Sequence, residues 1–329
     1  TCVDAGDING DGKMDLAFLC QGKVRLFYQT LLGFEPKRFV DLPIEGQQLA
    51  LSDLDGDGNA DLILRAADGA LRVYWGDADG IKPANMTEVT ISPPQAESGQ
   101  GVDKQTQYAE HVEDALPLVK VIPLNNVPHI FYPQATKVLL IPVTTGRQFG
   151  VPIILSCPRA FSAALGDING DGYPDLAIAC RDARGESECS WIYWGGERGF
   201  SNLHCVPLPS HRACDVAVGD LDGDGYDDVV ICQQHTAVSF TTESLLYRGS
   251  ATGVMSEPVR LTTHDAHRVH LAGTTNGQKM AVVFANHFAR NLLGNIDISI
   301  YPGGPSGYAP GRRIDLPAWG AVEAICADL

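Results

Sequence analysis

Positive charge is scarce in this chain: 24 lysines and arginines stand against 40 aspartates and glutamates, a formal net charge of −16 over 329 residues. Such a balance speaks against nucleic acid and against anionic membranes as partners. No apolar run approaches the ~20 residues that a helix needs to cross a bilayer, so no membrane insertion is expected of this segment. None of the nine cysteines lies in C-x-x-C spacing, which argues against a zinc ribbon or a dithiol redox site. There is no G-x-S-x-G, no H-E-x-x-H and no phosphate-cradling glycine loop, so the common hydrolase and nucleotide motifs are missing. Helical periodicity is lacking too; apolar residues come in short, β-branched runs.

Aspartate is what the chain has instead. Asp220, Asp222 and Asp224 alternate, Gly225 follows, and Asp228 comes four residues after Asp224. The same spacing recurs as Asp7, Asn9, Asp11 and Asp15, as Asp53, Asp55, Asp57 and Asp61, and as Asp167, Asn169, Asp171 and Asp175. Each copy reads D-x-[DN]-x-D-G-x-x-D. Carboxylates this close cannot all stay ionised without a cation. Oxygen donors at positions 1, 3 and 5, with glycine at 6 for a sharp turn, are the pattern of a calcium loop. Position 7 would lend only its backbone carbonyl, and its side chain varies accordingly among Lys13, Asn59, Tyr173 and Tyr226. The expectation is four Ca²⁺ ions, which would move the formal −16 to about −8 and leave little acidity to be explained by a charged partner.

An EF-hand is the obvious source of such a loop, and the sequence rules it out. Position 12, which should be a bidentate glutamate, is Phe18, Leu64, Ile178 or Ile231. Each loop runs directly into "LAFLC", "LILRA", "LAIAC" or "VVICQ", the signature of a buried strand. The stretch before it is equally strand-like, as in "FSAALG" and "CDVAVG". The loops therefore read as the turns of β-hairpins.

The loops start at 7, 53, 167 and 220, and an aromatic hairpin comes after each: "FYQTLLGF", "VYWGDADGI", "IYWGGERGF" and "LYRGSATGV". Two further hairpins, "LIPVTTGRQF" and "IYPGGPSGY", mark repeats whose loop positions, 123–131 and 273–284, keep turn residues but have no carboxylates. Six repeats of about 45–55 residues, each strand–turn–strand–connection–strand–turn–strand, predict an all-β propeller of four-stranded blades. The blades fall at about 1–46, 47–116, 117–157, 158–211, 212–265 and 266–319, with 320–329 opening another; a polar insertion covers 94–117. The final "AVEAICADL", with Asp328 at a first ligand position, suggests a seventh blade cut by the end of the segment, and Thr1 reads as lying in mid-strand.

"GDINGDGYPDLAIA" followed by "IYWGGERGFSN", together with its copies, resembles the FG-GAP or VCBS repeats of integrin α-like propellers and of many secreted bacterial proteins. The resemblance covers essentially the whole chain. It implies a propeller, usually of seven blades, with calcium in the hairpin between the first two strands of a blade. It also implies a secreted, cell-surface or periplasmic setting and a role in recognition, adhesion or scaffolding within a larger protein. Loops of this kind need the calcium of an exterior compartment, roughly 10⁻⁴–10⁻³ M.

A protein or glycan ligand is expected on the face opposite the aspartate loops, where blade-to-blade connections and second-to-third-strand loops gather. Candidates there are Arg159, His211, Arg212, His267, Arg268 and Trp319, with Gln47, Gln48, Phe161, Arg181, Arg184, His235, His287 and Arg290. Trp75 and Trp194 read as packing residues between blades. His264, His267 and His270 are three apart, but on a loop entering a strand they would diverge, which argues against zinc. Symmetry about the hairpins suggests the disulfides Cys189–Cys205, Cys2–Cys20 and Cys214–Cys232, against the alternative of buried thiols. The paired aspartates would be consumed as metal ligands, so the reading leans away from an enzyme; the alternative is a polysaccharide lyase with its site on the ligand face.

Overall fold

A computed structural model describes residues 2–90, 117–181, 189–236, 238–254, 257–273, 280–288, 296–303 and 307–321. Six antiparallel sheets follow one another along the chain, their first strands packed successively around a common centre. Blade one is Cys2–Gly6, Asp15–Cys20, Lys23–Phe27 and Val40–Glu45; blade two is Gln48–Ser52, Asp61–Arg65, Leu71–Tyr74 and Met86–Val89. Blade three is Lys120–Leu124, Val127–Pro133 and Val138–Thr144, with an outer strand split into Gln148–Phe149 and Ile153–Leu155. Blade four is Ala160–Gly166, Asp175–Cys180, Cys189–Tyr193 and Cys205–Pro209; blade five is Ala213–Gly219, Asp228–Gln233, Thr241–Tyr247 and Val259–His264. Blade six is Ala266–Ala272, Ala281–Asn286, Ile298–Tyr301 and Ile314–Leu316. A single turn of 3₁₀ helix, Pro310–Arg312, is the one helical element among the described residues, and no helix there is long and apolar enough to cross a membrane.

Burial explains why the second strands read as unbroken apolar runs. Asp175–Cys180 and Ala281–Asn286 are buried at every position because a neighbouring blade covers each face of the sheet. The outer strand Val40–Glu45 alternates instead, with Leu42 and Ile44 inside and the rest exposed. The apolar side chains gather into five clusters, four shared by two consecutive blades and one, between blades five and six, that also takes in Phe161 of blade four.

Two aromatic positions stitch blades together. The Tyr193, Tyr247 and Tyr301 hydroxyls donate back to the carbonyls of Ser156, Pro209 and Thr262 in the preceding blade, at 2.9, 2.5 and 2.6 Å. The neighbouring position reaches forward: Trp75 stacks on Phe149 of blade three at 6.2 Å, and Trp194 lies against Gly253 of blade five. Both tryptophans are packing residues between blades.

The third-to-fourth-strand hairpin of blade four pairs Cys189 with Pro209 and Tyr193 with Cys205, so the two thiols are four rungs apart and the bridge expected from symmetry is not available. Cys2 pairs with Leu19, which puts the buried Cys2 and the exposed Cys20 on different faces. The thiols that do meet are Cys214 and Cys232, 3.7 Å apart, and Cys157 and Cys180, 3.4 Å apart across the junction of blades three and four. Symmetry within one hairpin could not reveal the second pair, because its members belong to different blades.

Candidate metal centres

Each aspartate loop joins the first and second strands of its blade, and all four share one internal architecture. The residue at position 2, Ile8, Leu54, Ile168 or Leu221, is a buried plug that ties the loop to the core. Glycines at positions 4 and 6 all have positive φ; at position 6, Gly12, Gly58, Gly172 and Gly225 lie between 79° and 89°. Only glycine adopts that conformation without strain, and it lets the chain coil around its own carboxylates.

At position 1, one carboxylate oxygen of Asp7, Asp53, Asp167 or Asp220 accepts the N–H of the position-6 glycine at 2.7–3.1 Å. At position 5, Oδ1 of Asp11, Asp57, Asp171 or Asp224 accepts the N–H of position 7 at 2.8–3.0 Å. The oxygens of Asp53, Asp55 and Asp57 converge, as do those of Asp220, Asp222 and Asp224, each set lying within 4.8 Å of one another. Asp7, Asn9 and Asp11, and Asp167, Asn169 and Asp171, hold the equivalent places with an amide at position 3. Hard oxygen donors on a turn of this curvature can hold a metal ion.

Position 9 has a second duty that spacing alone does not reveal. Asp15, Asp61, Asp175 and Asp228 are buried; Oδ2 of each accepts the position-2 N–H at 2.9–3.2 Å. Oδ1 accepts the N–H of Gln29, Gly76, Gly195 or Gly249, just past the third strand, at 2.8–3.0 Å. One side chain thus fastens the loop to the sheet. Burial, together with the nearby carboxylates and against these hydrogen bonds, pushes Asp61 up to about 7 and Asp175 up to about 6. A cation beside them would relieve that cost.

Basic side chains reach three of the loops. Arg147, from the outer hairpin of blade three, places Nε 2.6 Å from Asp55 Oδ2 and Nη2 3.3 Å from Asp57 Oδ2. Arg248 Nη1 sits 2.5 Å from Asp228 Oδ2 and 3.3 Å from Asp222 Oδ2. Lys13 Nζ lies 2.8 Å from Asp11 Oδ2, a part-exposed pair. Among the described residues, the third loop has Asn169 Nδ2 on Asp171 Oδ2 at 3.1 Å in place of a basic side chain. Side chains at position 7 do other work: Asn59 and Tyr226 press on Gly10 and Gly170 of the preceding loop. Lys13 is partly buried, and Tyr173 is exposed.

Strand alternation puts the blade-to-blade connections at the opposite end of each sheet. Arg159, Arg212 and Asp265 occupy equivalent positions there, all with positive φ (59°, 46° and 45°), each just before an inner strand. Arg159 is exposed and His211 half-buried, whereas Arg212, His267 and Arg268 are buried and do not form an open rim. Gln47 is exposed, Gln48 buried, and Trp319 exposed; Arg181 lies over the buried Phe161 ring at 5.6 Å. Arg184, Arg290, Asp328 and the insertion up to 116 fall outside the described residues.

Three of these candidates meet around a residue that the sequence pattern does not single out. Asp265, buried, has Oδ1 2.8 Å from His235 Nδ1 and Oδ2 3.5 Å from His267 Nε2 and 3.4 Å from His287 Nδ1. Burial pushes the Asp265 carboxyl up, but the imidazoles of His235, His267 and His287 outweigh it and hold it well below the usual carboxylate range. A second buried carboxylate, Asp215, takes Lys120 Nζ at 2.8 Å, Ser162 Oγ at 2.5 Å and the Val269 N–H at 3.1 Å, linking the inner strands of four blades. A lone aspartate in the apolar run "CDVAVG" was the available signal.

Residues 167–231 match the family model of the FG-GAP-like repeat. No curated protein matches the chain. Among solved structures, the crystal structure of BBS1N in complex with ARL6DN, soaked with lead, is similar at 13% identity and a TM-score of 0.56, over 97% of this chain and 91% of that one. The mercury-soaked form of the same complex gives 13% and 0.55, over 98% and 93%. The Photorhabdus luminescens Tc holotoxin pore, carrying the TccC3-D651A mutation, is similar at 17% and 0.41, over 85% of this chain and 13% of that one.

Proposed function

We propose that this β-propeller with FG-GAP-like repeats is a calcium-rigidified recognition, adhesion or scaffold module of an extracellular, cell-surface or periplasmic protein, without catalysis of its own. The observation that carries this reading is the fourfold recurrence of one loop geometry. In each copy an oxygen of position 1 accepts the N–H of the position-6 glycine and one of position 5 the N–H of position 7, and in the second and fourth copies the oxygens of positions 1, 3 and 5 lie within 4.8 Å of one another. The ligands are Asp7, Asn9, Asp11 and Asp15; Asp53, Asp55, Asp57 and Asp61; Asp167, Asn169, Asp171 and Asp175; and Asp220, Asp222, Asp224 and Asp228, with the carbonyls of Lys13, Asn59, Tyr173 and Tyr226. Calcium suits them because every donor is oxygen and each loop brings several of them.

The recognition reading rests on the division between two faces, one committed to loops that stiffen the sheets and one free to vary. A solved structure of this fold is a complex with a second protein, so the architecture is able to carry such a contact. Isothermal titration with Ca²⁺ tests the proposal. Binding to several sites at roughly 10⁻⁴–10⁻³ M is the result expected for an exterior module. Absence of calcium binding would overturn the proposal, and sub-micromolar affinity would overturn the location. A β-elimination assay on uronic polysaccharides is expected to give no turnover; product would replace the non-catalytic reading with a lyase.

A further inference from the structure

We propose that Asp265, His267 and His287 form a site for one divalent transition-metal ion of the zinc class, on the face opposite the aspartate loops. Two of the separations match those between neighbouring ligands of one ion. Zinc bonds to nitrogen and oxygen are about 2.0–2.2 Å long and tetrahedrally disposed, which puts neighbouring donors about 3.3–3.6 Å apart. The observed separations from Asp265 Oδ2 are 3.5 Å to His267 Nε2 and 3.4 Å to His287 Nδ1, and all three donor atoms lie within 4.8 Å of one another. N–H···O hydrogen bonds prefer about 2.9–3.0 Å. His267 Nε2 is moreover a buried polar atom in the cluster with no hydrogen bond within normal distance.

The surroundings are those of a prepared carboxylate. His235 donates to Asp265 Oδ1 through both its ring Nδ1, at 2.8 Å, and its backbone N–H, at 3.0 Å, which fixes the carboxylate and turns Oδ2 toward His267 and His287. Outer hydrogen bonds of this kind orient metal ligands. Phe240 stacks on the His235 ring at 4.9 Å and meets Phe288 edge-on at 4.8 Å, walling that side with apolar surface. His287 remains about a third exposed, so an ion can enter beside it and keep a water.

The fold itself does not demand these side chains. In blade four the corresponding residues are Arg159, Phe161 and Arg181, and in blade five Arg212, Cys214 and Gln234. All three triplets keep the same left-handed turn, the same bulge and the same backbone hydrogen bond from the third residue to the carbonyl of the first. Only the junction of blades five and six carries aspartate and two histidines. Mixed nitrogen and carboxylate donors favour zinc or a neighbouring divalent ion, whereas the aspartate loops offer oxygen alone.

The test uses the whole chain, stripped of metal by chelation, returned to excess Ca²⁺ and titrated with Co²⁺ and then Zn²⁺. One Co²⁺ per chain is expected to bind with the visible absorption of a low-symmetry, four-coordinate ion, and Zn²⁺ to displace it. His287→Ala and His267→Ala should each weaken uptake at least tenfold, and His235→Gln, acting through the carboxylate, about tenfold. Because His287 is part-exposed, its variant should keep the wild-type circular dichroism and melting temperature, so it decides the matter even if His267→Ala misfolds. No Co²⁺ or Zn²⁺ uptake in the presence of calcium, or uptake that His287→Ala leaves unchanged, overturns the site.

Discussion

Asp215 shows what one side chain does at the centre of the ring. Burial works to raise its pKa, but the charges of Lys120 and Arg268 and the Ser162 hydroxyl prevail and hold it at about 2. A depressed carboxyl stabilises the fold above its ordinary value near 4, and that contribution is lost as pH falls toward 2. Asp215→Asn should therefore destabilise the fold at neutral pH, by at most the roughly 3–5 kcal/mol of a broken buried ion pair, because it removes the buried charge that Lys120 and Arg268 complement. It should also flatten the acid limb of the stability curve; urea unfolding at a series of pH values measures both. Arg147 poses the opposite case. Its guanidinium lies on Asp55 and Asp57, where a divalent ion would sit, so Arg147→Ala should tighten calcium binding at the second loop severalfold by calorimetry. An unchanged affinity would mean that the guanidinium yields its place to the ion at no cost.

At the scale of the loop and its hairpin, the donors at positions 1, 3 and 5 are separable from the side chain at position 7. Asp224→Ala should abolish one calcium-binding event or weaken it at least tenfold, since a hard cation loses a charged ligand. Tyr226→Phe should leave that affinity unchanged. Loop and hairpin were legible in sequence because their donors are neighbours along the chain and because the strand behind each loop is buried on both faces. The register of the Cys189 hairpin was not: its turn places Cys189 against Pro209, and symmetry of composition says nothing about which residues a turn consumes. Nor was the Asp265 cluster, whose members come from three separate connections. The spacing of His264, His267 and His270 argued that the three diverge, and it carried no hint that His267 would meet Asp265.

For the whole molecule, each blade is stable only through its neighbours. Tyrosine hydroxyls bind the blade before, tryptophans press on the blade after, and neighbouring aspartate loops touch directly: the Ala60 N–H donates to the Asp7 carbonyl at 2.6 Å and the Asp227 N–H to the Asp167 carbonyl at 3.0 Å. Removal of calcium should lower the melting temperature by scanning calorimetry, because each loop is left with mutually repelling carboxylates. Equal melting in calcium and in chelator would deny the ions a structural role. Tyr247→Phe should cost about 1 kcal/mol by denaturant unfolding, the worth of one hydrogen bond across a junction.

The tyrosine link has the same donor and the same kind of acceptor at successive junctions, and this bears on how such a chain can change. A cut from one blade's connection to the equivalent point in the next would bring a matching hydroxyl to a matching carbonyl, whereas a cut inside a blade would strand both. Lengthening or shortening of the array is therefore expected to proceed in complete cassettes, with the junction chemistry regenerated at every join.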